Sequence, residues 1–170
     1  MKIGFLLFLL LSMPLLADNT STGTNALLNI TTGTKNVAIG DSAMKENTSG
    51  LNNTSVGYFG LRENTTGKQN TAIGSYSMRY NTTGDDNTAV GFESLKYNTT
   101  GDKNTAIGNY ALQDNTTGTS NTSIGNYTLS DNATGDKNTA IGNYSMRSNS
   151  SGNDNTSVGN YAMRDNTSGS

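Results

Sequence analysis

From Asn19 onward the chain sets short apolar triplets into long polar stretches at an unvarying interval of 17 residues. The segment GDKNTAIGNY stands at Gly101 to Tyr110 and again at Gly135 to Tyr144, with the looser GTSNTSIGNY halfway between them. Written in rows of 17, the chain gives nine rows beginning at Asn19, Asn36, Asn53, Asn70, Asn87, Asn104, Asn121, Asn138 and Asn155, the last one residue short. Such self-similarity is the mark of a stacked repeat architecture. A unit of 17 residues is too short for a helical pair and too poor in helix formers, so the pattern predicts one turn of a solenoid per row. In each turn a short strand such as Thr105-Ala106-Ile107 pairs with its equivalent in the next.

The columns of this array divide by role. Positions 5 and 15 are Gly in every row, Gly23 to Gly159 and Gly33 to Gly169, accounting for 18 of the 20 glycines, as expected of two corners with positive φ or no room for a Cβ. Position 4 is Ile or Val in eight rows, from Ile39 to Val158, with Thr22 in the first, and position 9 is always Leu or Met. These two columns are the expected core, so a charge at Ile107 is expected to break the stack. Positions 3 and 8 are mostly Ala or Ser, small enough for close packing. The fold class expected is therefore all-β, a parallel β-solenoid or β-roll of nine coils, about 43 Å long at strand spacing.

Asn fills position 1 in all nine rows and position 12 in eight, Asn47 to Asn166, with Ile30 in the first. Stacked amides donate to one neighbour and accept from the other, which predicts Asn ladders along the axis. Many of these residues also open N-x-[ST] sequons, including Asn64-Thr65-Thr66 and Asn115-Thr116-Thr117. An Asn turned into the coil carries no glycan, and the ladder reading is preferred. Phe59, Tyr76, Tyr110, Tyr127, Tyr144 and Tyr161 form an aromatic column at position 7. It reads either as an exposed strip for sugars or bases or as a packed edge between coils or subunits. Lys and Arg at position 10, beside Asp and Glu at position 11, read as a solvated face that offsets its own repulsion.

Residues 1–17 change the picture of where the chain works. Lys2, the apolar run Phe5 to Met13 and the sequence Pro14-Leu15-Leu16-Ala17 read as a secretory signal cleaved after Ala17, too short for a membrane span. The repeat domain is then 18–170, secreted or at the cell surface, with no membrane insertion of the mature chain expected. Without Lys2 there remain ten basic and thirteen acidic residues, a net charge of −3, which lacks the basic stripe of a nucleic-acid surface. There is no Cys and no His, so neither disulfides nor the common transition-metal sites are expected, and no cofactor. Asp85, Asp86, Asp102 and Asp136 lack the dense Gly-Asp nonapeptide of calcium-loaded β-rolls. Catalysis needs unlike groups converging at one place, whereas this repeat smears each type along the axis, and no enzyme is expected.

The segment Asn104-Thr105-Ala106-Ile107-Gly108 resembles the N-[ST]-x-A-[IV]-G repeat of YadA-like trimeric autotransporter adhesin heads. The rows are still more similar to the NNTAIGxxAL and NTTG repeats of bacterial surface proteins and phage tail-fibre-like proteins. The resemblance covers all nine rows, with a unit longer than that of the adhesins. It implies a left-handed β-roll, association of three chains and binding to extracellular matrix, glycan or another cell-surface ligand. The expected function is thus a secreted, adhesin-like repeat protein that offers a rigid multivalent surface. The slender core predicts a homo-oligomer, a trimer hiding the aromatic column, or end-to-end self-assembly through the regular final coil. The alternative is an ice-binding solenoid using the Thr ladder of position 2, Thr54 through Thr156. With position 4 assigned to the core, and with positions 13 and 14 pointing to opposite faces, no two-file threonine array is expected.

Overall fold

The computed structural model describes residues 18–169; the signal sequence proposed for 1–17 lies outside them. Nine strands follow one another: β1 (Thr20–Thr22), β2 (Val37–Ile39), β3 (Thr54–Val56), β4 (Thr71–Ile73), β5 (Thr88–Val90), β6 (Thr105–Ile107), β7 (Thr122–Ile124), β8 (Thr139–Ile141) and β9 (Thr156–Val158). They form one parallel sheet in sequence order, and each strand pairs with the next at an offset of 17 residues, Thr88 with Thr105 and Val90 with Ile107. The described chain is an all-β solenoid without helices. Backbone bonding runs in both axial directions from each coil between the first and the last. The Thr88 N–H donates to the carbonyl of Asn104 ahead at 2.8 Å, and the Gly91 N–H donates to that of Ile73 behind at 2.8 Å.

The inward side of each strand is not the one expected. Ile39, Ile73, Ile107, Ile124 and Ile141 are 37–42% exposed, whereas Ala38, Ala72, Ala89, Ala106 and Ala140 of position 3 are fully buried. The Ile/Val column is therefore an outer surface and not the core, and a charge at Ile107 would enter water and not an apolar stack. Alternation explains the reversal: Asn at position 1 is buried, so position 3 shares its side and positions 2 and 4 take the other. The core consists of the Leu/Met column, from Leu27 to Met146, with the small residues of positions 3 and 8 and both Asn columns around it.

The Leu/Met column is unbranched for a backbone reason. Leu27, Met44, Leu61, Met78, Leu95, Leu112, Leu129, Met146 and Met163 all have φ between 48° and 53°, the left-handed region. Positions 7 and 17 are left-handed too, Tyr110 at 59° and Lys103 at 58° among them. A β-branched side chain fits this conformation worst, and none occurs at positions 7, 9 or 17 in any row. Each left-handed residue costs on the order of 1 kcal/mol. Cross-coil bonds offset that cost, such as Leu112 N–H to the Thr128 carbonyl at 3.0 Å and Tyr110 N–H to the Phe92 carbonyl at 2.9 Å.

Both predicted ladders are present, and they meet at one carbonyl. The Asn64 Nδ2 donates to Asn47 Oδ1 at 2.9 Å and to the Gly67 carbonyl at 3.1 Å. Asn53 Nδ2 reaches the same Gly67 carbonyl at 2.8 Å and also donates to Asn36 Oδ1 at 3.1 Å. The Oδ1 of Asn36 accepts a second bond from the Asn53 backbone N–H at 3.0 Å. Position 15 must be Gly because a Cβ on Gly67 would lie 2.3 Å from Asn64 Oδ1 and 2.6 Å from the Gly84 carbonyl oxygen. Gly91, at position 5, has a φ of 136° and a would-be Cβ 2.5 Å from the Gly108 oxygen, so both conditions exclude a side chain. The two glycine columns thus have different causes, conformation and contact at one corner and contact alone at the other.

Candidate binding faces

The strands carry the most regular surface of the molecule. Thr occupies position 2 in every coil except the second, where Val37 stands, and Ile or Val occupies position 4 in every coil after the first. Since both columns point outward, the sheet presents a two-file T-x-[IV] array that the sequence reading excluded by placing Ile and Val inside. Its rows are in register from β1 to β9. Neighbouring rows repeat at about 4.8 Å along the axis and the two files stand about 6.6 Å apart along each strand. No charged residue occurs at positions 2, 3 or 4 of any coil.

The threonine hydroxyls of this face differ from those of position 13. At position 13 the hydroxyl is engaged with the next coil: Thr65 Oγ1 donates to the Thr82 carbonyl at 3.0 Å and Thr99 Oγ1 to the Thr116 carbonyl at 2.9 Å. Among the described residues no position-2 hydroxyl takes part in a protein hydrogen bond of that kind. Half-buried as residues and without a protein partner at the hydroxyl, Thr54 to Thr139 present a line of donors and acceptors beside a line of methyl groups.

On the neighbouring side of the coil, the structure brings the six aromatic residues singled out from the sequence into one file. Tyr110, Tyr127, Tyr144 and Tyr161 stack at centroid separations of 4.5, 5.2 and 5.0 Å, with interplanar angles of 14° or less. Phe59 and Tyr76 stand 5.7 Å apart, tilted by 30°. The column is interrupted at Glu93, and a residue the sequence reading missed closes the gap. Phe92, at position 6, contacts Tyr76 at 6.1 Å and Tyr110 at 5.4 Å, edge to face in both cases. Because neighbouring rings cover the faces of Tyr127 and Tyr144, the stack offers edges and hydroxyls outward. That geometry suits a packed edge better than a platform for stacking sugars or bases. Tyr58, Phe92 and Tyr97 are the exposed rings of the middle coils.

Cations of position 10 lie over these rings, Arg79 at 4.7 Å from the Tyr80 centroid and 5.1 Å from that of Phe59, and Arg147 within 6 Å of Tyr127 and Tyr144. Opposite charges also pair as the two columns suggest: Lys45 with Glu46 at 3.5 Å, Arg164 with Asp165 at 3.7 Å, and Arg62 with Glu63. In coil 5, Glu93 accepts from Lys96 at 3.0 Å and from Gln113 Nε2 at 2.6 Å. Burial works to lower the Lys96 pKa, but the bonds to Glu93 and Tyr97 outweigh it and hold the ammonium above its ordinary value. Burial, followed by the nearby Asp131, raises the Asp114 carboxyl pKa.

The sequons at the ladder positions are closed, since Asn64 and Asn115 are fully buried with both amide protons engaged. Among the described residues no group of three or more His, Cys, Asp or Glu stands together as a metal site. Comparison with known proteins finds no matching family model, no matching curated protein and no matching solved structure. The class established by the fold is a parallel β-solenoid.

Proposed function

We propose that the protein works outside the cell as a rigid, adhesin-like repeat surface, acting by multivalent binding and without turnover chemistry. The observation that carries this reading is the T-x-[IV] face: one chemical unit presented in the same register from coil to coil on a frame held by two buried Asn ladders. A single unit of two small side chains binds weakly. Seven of them, in coils 3 to 9, held in one register engage an extended target together, so the ordering cost is met during folding and not again at binding. The target class is an extended surface, such as matrix, glycan or another cell-surface ligand. Self-association into a homo-oligomer, three copies in the preferred form, uses the aromatic side, where Tyr58, Phe92 and Tyr97 are exposed.

The test is to replace the outward Thr and Ile of one, three and six coils by Lys, with circular dichroism to establish that the fold is kept. Binding to matrix, cells and insoluble polysaccharide is expected to fall more steeply than in proportion to the coils altered. Equal binding by all variants, or a discrete hydrolytic activity of the purified chain, defeats the proposal. Light scattering that shows a folded monomer at micromolar concentration defeats its oligomeric part.

A further inference from the structure

We infer that the T-x-[IV] face binds crystalline water: its occupant is the surface of ice. This rests on the reading of that face as the working surface and names what it engages. Three features select the occupant. First, the array is periodic in two directions, about 4.8 Å between coils and about 6.6 Å between files. It runs through nine paired strands, so its full area is used only by a target that is itself a lattice. A soluble peptide or a short glycan presents no such repeat.

Second, the face has no charge at all, while Lys, Arg, Asp and Glu lie elsewhere on the coil. A mineral or a polyanion requires charge complementarity that positions 2 to 4 do not supply. Third, the two files ask for water in two ways. The position-2 hydroxyls have unused donor and acceptor capacity, which a hydrogen-bonded lattice satisfies at every row. Packing this face against a second copy would bury these hydroxyls and require each to be paired anew, at a penalty wherever it was not. The methyl groups of Ile107, Ile124 and Ile141, 37–40% exposed, stand in a parallel file beside the hydroxyls and order the water above them without competing for its hydrogen bonds. The buried ladders beneath hold the array in a fixed register, so little is lost in ordering it when the lattice forms.

The experiment uses the repeat chain of residues 18–170, fluorescently labelled, with ice itself as the probe. Labelled protein is expected to be taken into a slowly growing polycrystalline ice sample and to separate the melting and freezing points of a single crystal. Thr105→Tyr combined with Thr122→Tyr, and separately Ile107→Lys, put bulk or charge on the face at outward positions and are expected to abolish ice uptake while the spectrum and melting transition are kept. Lys103→Gln, off the face, is expected to leave uptake unchanged. Exclusion of the folded wild-type chain from ice, or undiminished uptake by the face variants, overturns the inference. Capture on crystalline chitin or cellulose without uptake into ice also overturns it, but leaves the multivalent-surface reading in place. Absence of binding to every surface removes both.

Discussion

Asn98 donates its side-chain amide to Asn81 Oδ1 at 2.8 Å, and in turn its own Oδ1 accepts from Asn115 at 2.8 Å, so one buried file of amides runs through successive coils. Each amide also donates to a Gly carbonyl of its own coil, Asn98 to Gly101 at 2.9 Å. A polar group in the interior is stabilising only when both its donors and its acceptor are used, and here they are. The ladder therefore serves as core and as register device together. A coil shifted by one residue would lose the acceptor and expose the amide.

Asn98→Ala is expected to lower stability by about 2–4 kcal/mol, because it leaves Asn81 Oδ1 without its donor and opens a cavity. Asn98→Asp should cost more at neutral pH, since a buried carboxylate faces Asn81 Oδ1 and the Gly101 oxygen with no proton to offer. Urea unfolding of the two variants at neutral and acid pH checks the order. Equal loss for both at neutral pH contradicts the donor argument.

At position 9 the backbone, and not the volume of the side chain, sets the choice. Leu112 is fully buried with a φ of 51°. Leu112→Met, which other coils already carry, should cost under about 1.5 kcal/mol. Leu112→Ile keeps the volume and adds a β-branch in the left-handed region, with an expected loss of about 1–3 kcal/mol. Thermal melts of the two variants should separate clearly, and coincidence of their transitions would remove the explanation.

The reversal of the strand predicts opposite tolerances at adjacent residues. Ile107→Asp places a carboxylate at the surface and should cost less than about 1 kcal/mol. Ala106→Leu forces extra methylenes into a closed interior and should cost about 1–3 kcal/mol or more. Denaturant midpoints decide the matter: a larger loss at 107 than at 106 would put Ile back in the core.

Burial and Asp131 raise the Asp114 carboxyl pKa in the folded chain, so over the window between the unfolded and folded values the native state holds the extra proton. Stability from this group accordingly decreases as pH rises through that window. Asp114→Asn is expected to raise the melting temperature at neutral pH and to leave it unchanged well below the usual carboxylate range. The effect is small because the site is partly solvated. A shift of equal size at both pH values would assign it to packing and not to charge.

The sequence by itself determined the architecture: an unbroken period of 17, two Gly columns and a strand triplet leave one arrangement in which every coil repeats its hydrogen bonds. It also determined both Asn ladders, because an amide repeated at fixed interval finds its own kind above and below. Which side of each strand faced inward was not decided by apolarity. Ile and Val outrank Ala and Ser in hydrophobicity, but the slender coil has room along the strand only for small side chains beside two files of Asn, and volume overruled transfer energy. The alternation Asn-in, Thr-out, Ala-in, Ile-out was legible from Asn104 to Ile107 once the ladder was turned inward, but the apolarity of position 4 argued for the opposite side, and only the closed coil decides between the two. The left-handed backbone under Leu112 and Tyr110, and the step of Phe92 into the gap left by Glu93, belong to the tertiary structure alone. They arise from corner geometry and from contacts between residues 16 to 18 apart, which no local propensity encodes.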